Sequence, residues 1–193
     1  ENIGMGAGNN LGLKNASTDY VLILNPDVVC GKDFYINISE VIDEDKDFSV
    51  IGCQYLQDKV FMPAGFFDSE KNEMFAKDFK NNKVDDLIKV DWVTGCSMLV
   101  NLKKFDDKII FDENFFLYFE EFDLCKKLKD KGEKVYSSRK LKIHHLGFKS
   151  SFDENSTLRK NINRLREWHW MWSSFYFYKK NYNYFYALKK MGG

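Results

Sequence analysis

The chain carries no excess charge of either sign. Its 29 Lys and Arg balance 29 Asp and Glu, whereas a dedicated nucleic-acid binder is usually basic overall. It lacks any uncharged apolar run approaching the roughly 20 residues of a membrane-spanning helix, and no secretory leader pattern is visible. Its four cysteines, Cys30, Cys53, Cys96 and Cys125, contain no C-x-x-C pair. Neither a disulfide framework nor a cysteine zinc site is therefore expected, and free buried thiols in a reducing compartment are. There is no internal repeat. There is also no initiator methionine and no strand ahead of the first glycines, so the sequence is expected to be a fragment whose preceding residues are absent.

What is present is a globular composition, 44% hydrophobic and 30% charged over 193 residues, enough for one domain, or for one domain with an appendage. Short aliphatic strands are predicted at 20–24, 49–53, 89–93, 97–101, 134–137 and 141–145. Helices are predicted at 9–15, 33–43, 119–131 and 158–179, with a helical continuation over 182–190. Residues 54–86 read as hairpins or a variable loop. Strands alternating with helices predict an α/β layered fold.

Five stretches could carry chemistry. In "GMGAGNNLG", Gly4 and Gly6 match a dinucleotide fingerprint, but Asn9 occupies the third glycine position and no strand precedes it. A loop lying close to a ligand, or a turn before a helix, reads better. In "YVLILNPDVV", Asn25-Pro26-Asp27 ends a strand, where open α/β sheets bind ligands. One Asp together with substrate phosphates is a common way to hold Mg²⁺ or Mn²⁺, although Asn-Pro-Asp is also an ordinary turn.

In "FFLYFEEFDLCKKLKDKG", Glu121, Leu124, Cys125 and Leu128 follow the buried stripe of a helix, while Glu120, Asp123 and Lys127 lie on a more polar side. A carboxylate on an apolar face, with acids nearby, has a raised pKa suited to general-base work. In "LKIHHLGFKSS", strand alternation turns His145 inward and His144 to solvent. His145 is then either a core histidine or a metal ligand. The C-terminal run "NRLREWHWMWSSFYFYKKNYNYFYALKK" mixes aromatics with Arg and Lys. It suits a helix in a membrane interface or one packed on the core or a second subunit; stacking on nucleic acid is a weaker third reading.

Taken in order, these stretches resemble the family-2 inverting glycosyltransferases, specifically their bacterial rhamnosyltransferase-like branch. "NIGMGAGNNLGLKNA" resembles the loop and helix before the metal strand. "DYVLILNPDV" resembles the metal strand itself, "VDWVTGCSMLVN" the acceptor segment, "FDENFFLYFEEFDLCKKLKDKG" the catalytic helix and "KIHHLGFKSS" the late histidine strand. The resemblance implies a GT-A fold, a mixed sheet flanked by helices. The catalytic domain spans 1–150, incomplete at its N-terminus, and a helical extension spans 151–193.

By position, the resemblance makes Asp27 and His145 the ligands of Mg²⁺ or Mn²⁺. Asn9, Asn10, Asn25 and Asp27 bind the donor, and Asp91, Trp92, Thr94 and Gly95 the acceptor. Glu121 is the base, standing where the family usually has Asp, with Glu120 and Asp123 as alternatives. The implied reaction moves a sugar from a nucleotide donor (UDP- or dTDP-linked) to a glycan or lipid-linked acceptor. Its setting is bacterial surface polysaccharide synthesis, in the cytoplasm or on the inner face of the membrane, with no nucleic-acid partner and with a homodimer as one assembly. The other expectation is a non-catalytic carbohydrate- or partner-binding remnant of the fold.

Overall fold

The computed structural model describes residues 2–55, 63–81, 85–146 and 157–192. The chain groups into two compact units, one of Glu1–Ala16, Asp107–Leu124 and Phe148–Gly193, the other of Ser17–Asp106 and Cys125–Gly147. This grouping differs from a linear division at residue 150, because the first helix and the segment before the acidic helix belong with the C-terminal helices.

The second unit is built on a mixed sheet of β1 (Tyr20–Leu24), β2 (Val28–Cys30), β3 (Val50–Tyr55), β5 (Leu87–Val90), β7 (Ser97–Asn101) and β8 (Val135–His145). The strand order is β1-β7-β3-β8-β2, and β5 also pairs with β8. β3 and β8 run parallel and the other pairs are antiparallel. A small second sheet joins β4 (Ala64–Gly65) to β6 (Trp92–Val93).

Helix α2 (Phe34–Glu44) supplies Phe34 and Val41, with Ile38 and Ile42, to a core completed by Phe48, Ile51, Cys53, Leu99, Leu141 and Ile143. That i, i+4, i+7, i+8 spacing is one helical face. All four cysteines are free thiols, and burial pushes the Cys53 thiol up to about 12.

Two local predictions are corrected. The 54–86 stretch contains a helix, α3 (Ser69–Lys80), started by the Asp68 carboxylate accepting from Lys71 N at 2.8 Å. Its apolar periodicity is thin, and only Phe75 is buried. The two strands predicted at 134–137 and 141–145 form one long strand, β8, whose register against β3 shifts between Cys53 and Gln54. A break in register looks like a break in the strand when only periodicity is read.

The first unit contains α1 (Met5–Asn15), the start of α4 (Glu120–Asp130), α5 (Thr157–Asn181) and α6 (Tyr184–Met191). The glycine-rich stretch is itself helical from Met5. Gly4 precedes that helix at φ 90, and a Cβ there would lie 2.7 Å from Phe116 O. Glycine is thus required by a left-handed turn pressed against backbone, and the ligand-approaching loop expected from the sequence gives way to a helix start.

Candidate functional site

In the sheet unit the strand β1 ends at Leu24, and Asn25-Pro26-Asp27 turns the chain into β2. The Asn25 N–H donates to Cys96 O at 2.9 Å, and Val28 N donates back to Asn25 O at 3.1 Å. Antiparallel pairing of β2 with β8 places Val28 opposite His145, and Leu146 N donates to Asp27 O at 2.9 Å. The result is an Asp27 Oδ1 to His145 Nε2 separation of 3.3 Å, with the Asp27 side chain only 11% exposed. His144 is exposed and His145 half-buried, as strand alternation predicts.

The register shift in β8 sets Tyr55 opposite Ile143, and the Tyr55 ring lies 5.8 Å from the imidazole of His145. The Tyr55 hydroxyl is 3.1 Å from Thr94 Oγ1 and 2.9 Å from Cys96 Sγ. The Asn25–Asp27 turn, Thr94 and His145, three segments far apart in sequence, are thereby brought close together, with Gly95 buried next to Thr94 in the chain. Tyr55 was not anticipated: a tyrosine at a strand end carries no motif, and only the register shift brings it here.

Asp91 and Trp92 are committed to local structure. Asp91 accepts from Phe67 N at 3.0 Å and pairs with Lys129. The Trp92 indole donates to Phe66 O at 3.2 Å. Both tie down the paired strands β4 and β6, the second of which leads into Thr94.

Asp27 and His145 together offer one carboxylate oxygen and one imidazole nitrogen, a donor set suited to a Mn²⁺-type ion. Among the described residues no group of three or more His, Cys, Asp or Glu gathers.

In the helical unit, Asn10 is 1% exposed. Its amide nitrogen donates to Phe111 O at 2.9 Å and Glu113 Oε1 at 3.0 Å, and its oxygen accepts from Ile110 N and Phe111 N. Those four bonds saturate the side chain, so Asn10 clamps the segment ahead of α4 and keeps no hydrogen bond for a donor. Asn9 is half-buried.

α4 follows two consecutive aromatic residues, Tyr118 and Phe119, both at φ 68. Left-handed non-glycine backbone costs about 1–3 kcal/mol per residue and survives only where its surroundings enforce it. Here Ser173 Oγ donates to Leu117 O at 2.8 Å. Trp170 packs edge-on against Tyr118 and Phe119 with ring centroids 5.4 and 5.1 Å away.

The faces of α4 differ from those read off the periodicity. Leu124, Cys125 and Leu128 are buried as expected, but so are Glu120 (3% exposed) and Asp123 (0% exposed), while Glu121 is half-buried. The physical reason is that the side thought polar is covered within this unit. Asp123 meets Lys180 Nζ at 2.9 Å and Asn181 Nδ2 at 3.2 Å, and Asp112 pairs with the same ammonium. Burial alone would raise the Asp112 carboxyl, but Lys180 and Asn114 outweigh it and hold it down at about 2.

Glu120 has no such partner. Its Oε2 makes no hydrogen bond among the described residues, and burial, followed by the charge of Glu121, pushes its carboxyl up to about 8. A carboxyl raised in this way keeps its proton in the folded chain while the unfolded chain has lost it. Stability therefore falls as pH climbs from about 4.5 to about 8. Glu120→Gln should remove that slope. Thermal melts of the two chains are expected to coincide near pH 4 and to diverge in favour of the variant above pH 8; parallel profiles would place the proton elsewhere.

No protein-family model matches this chain. Rhamnosyltransferase WbbL of Escherichia coli (strain K12) is 27% identical over 157 residues, 69% of this chain and 57% of that protein. The chain thus spans little more than half the length of this curated relative. Among solved structures, the crystal structure of GalNAc-T7 with UDP, GalNAc and Mn²⁺ matches with a TM-score of 0.53 at 14% identity. The match covers 91% of this chain and 36% of that one. This likeness bears out the expected fold, a central mixed sheet flanked by helices as in GT-A glycosyltransferases.

Proposed function

We propose that this chain transfers a sugar from a nucleotide-sugar donor to a hydroxyl of a glycan or lipid-linked glycan, with inversion, in bacterial surface polysaccharide synthesis on the cytoplasmic side. The observation that carries this reading is the Asp27–His145 pair, 3.3 Å apart at the end of a sheet strand. It draws support from the similarity to a rhamnosyltransferase and from the fold shared with a protein crystallised with UDP, GalNAc and Mn²⁺.

In this reading Asp27 and His145 hold Mg²⁺ or Mn²⁺ with the donor's diphosphate. The bound ion would offset charge growing on the leaving diphosphate. Asn25 and Asn9 contribute to donor binding. Thr94 and Gly95, with Tyr55 behind Thr94, form the acceptor side, and Asp91 and Trp92 shape that segment from beneath.

Glu121 is the base. It takes the proton of the acceptor hydroxyl as that oxygen bonds to the anomeric carbon, and the electron pair of the breaking bond leaves with the nucleoside diphosphate. A single displacement inverts the anomeric centre. The choice among three acids rests on their surroundings: Asp123 is occupied by Lys180 and Asn181, and Glu120 holds its proton to about pH 8. Glu121 is the half-buried one of the three.

Calorimetry with UDP, dTDP and GDP, each with and without Mn²⁺, tests the donor side. Mn²⁺-dependent binding of a nucleoside diphosphate is expected, weakened about 100-fold or more in Asp27→Ala, because losing a ligand costs at least as much as losing one of its outer partners. Binding indifferent to Asp27→Ala would remove Asp27 from the site. No binding of any nucleotide would favour a non-catalytic binding module on the same fold.

A further inference from the structure

The transfer reading uses the packed side of the C-terminal helices and leaves their outer face without a role. From Thr157 to Met191 the sequence has eight Lys or Arg against a single acidic residue, Glu167, in a chain of zero net charge. On α5, Leu165, Trp168, Met171 and Trp172 recur at i, i+3, i+6, i+7, one face of the helix, and each is about half exposed. Trp168 and Trp172 stack with ring centroids 6.2 Å apart. The opposite face is the packed one, where Ser173, Ser174 and Phe177 are buried.

On α6, Tyr184, Leu188 and Met191 repeat at i, i+4, i+7 beside Phe185, which is 80% exposed. Ala187 is the buried contact of that helix. The two apolar faces adjoin. Phe175 meets Tyr184 edge-on with centroids 6.0 Å apart, and Ser174 Oγ is 3.4 Å from Met191 Sδ. Exposed Arg164, Lys179, Lys189 and Lys190 flank them.

We propose that the exposed face of α5 and α6 is a docking surface for an anionic lipid bilayer. Two kinds of observation select this occupant over a protein partner. Tryptophan, tyrosine and phenylalanine set among long cationic side chains match the headgroup boundary, where rings bury their apolar body and ammonium or guanidinium groups stay at the phosphates. Lys180 is held by Asp112 and Asp123, but exposed Arg164, Lys179, Lys189 and Lys190 against exposed Glu167 leave the face cationic, complementary to anionic headgroups, each nearby Lys or Arg adding to the attraction. No helix among the described residues is long and apolar enough to cross a membrane, so the contact is one of helices lying on the surface. The inference stands apart from the transfer reading, because it needs neither donor nor metal.

The test is co-sedimentation of the whole chain with vesicles of phosphatidylcholine alone and of phosphatidylcholine mixed with phosphatidylglycerol. Tryptophan emission is followed in parallel, with and without brominated acyl chains. Binding to the mixed vesicles is expected, falling as salt rises, with quenching by the brominated lipid. Trp168→Ala combined with Trp172→Ala should lower binding by about tenfold or more and remove most of the quenching. Lys189→Gln and Lys190→Gln should each cost about fivefold on the anionic vesicles and nothing on the neutral ones. All four positions are exposed, and circular dichroism checks that the variants fold.

Three outcomes overturn the proposal. One is absence of binding to the anionic vesicles. Another is binding unaffected by the tryptophan pair. The third is a stable dimer in solution that Trp168→Glu dissociates, which would make the face a contact between two copies.

Discussion

Glu121→Gln is expected to lower sugar transfer by about a thousandfold, within the range for loss of a general base, while leaving Mn²⁺-dependent nucleotide binding unchanged. The amide is nearly the same size, so the change removes the proton acceptor and little else. Glu121→Asp is the informative companion. It restores the residue usual in the resembling family but draws the carboxylate back by one methylene. Activity within tenfold of the parent would mean that the backbone tolerates either reach. A loss near that of Glu121→Gln would mean that the turn at Tyr118 and Phe119 is built for glutamate. Undiminished turnover in Glu121→Gln, or products of retained anomeric configuration, would end the assignment. Glu120→Gln, in contrast, should leave the rate near that of the parent at pH 7, because the group it replaces is already protonated there.

The largest stability effect is expected at Lys180. Its ammonium lies between Asp112 and the fully buried Asp123, and burial works against its charge while the two carboxylates raise its pKa. Lys180→Met takes from the buried Asp123 carboxylate the cation it meets at 2.9 Å and keeps the Asn181 amide beside it. Because Lys180 itself reaches solvent, stripping it from the buried carboxylate costs about 1–3 kcal/mol, equivalent to a fall in melting temperature of roughly 2–12 °C for a chain of this size. Combining Lys180→Met with Asp123→Asn should recover a good part of that loss, since the stranded charge is then gone. Strictly additive effects in this double-mutant cycle would show that the two side chains act independently. The catalytic consequence is separable: Lys180→Met should also lower transfer through the position of α4, and the double variant should regain stability ahead of activity.

Some of this was legible because it is local. β1 and β7 read directly from short aliphatic runs, α2 and α5 from helical spacing, and the inward turn of His145 from strand alternation. α3 was hidden because a surface helix with one buried residue, Phe75, leaves little apolar period to see. The faces of α4 were misjudged for a different reason. Periodicity marks where apolar residues fall, and it cannot register that Lys180 and Asn181, nearly 60 positions later, bury Asp123 by pairing with it. Nor could it find Tyr55, which reaches His145 and Thr94 through a register shift between two strands, or Tyr118 and Phe119, whose left-handed backbone has no compositional signature.

By itself the amino-acid sequence determined the α/β class, the candidate acids and histidine, the free thiols and the cationic, aromatic C-terminus, because each is a property of residue type and near-neighbour spacing. Only the tertiary structure decided which of those residues have chemistry left to do. Asp27 and His145 meet because two strands pair, Asn10 and Asp123 are consumed by partners more than 50 residues away, and Glu120 keeps its proton because burial removes the water that would stabilise its charge. Availability of a side chain depends on what surrounds it in space, and that is set by contacts between distant segments.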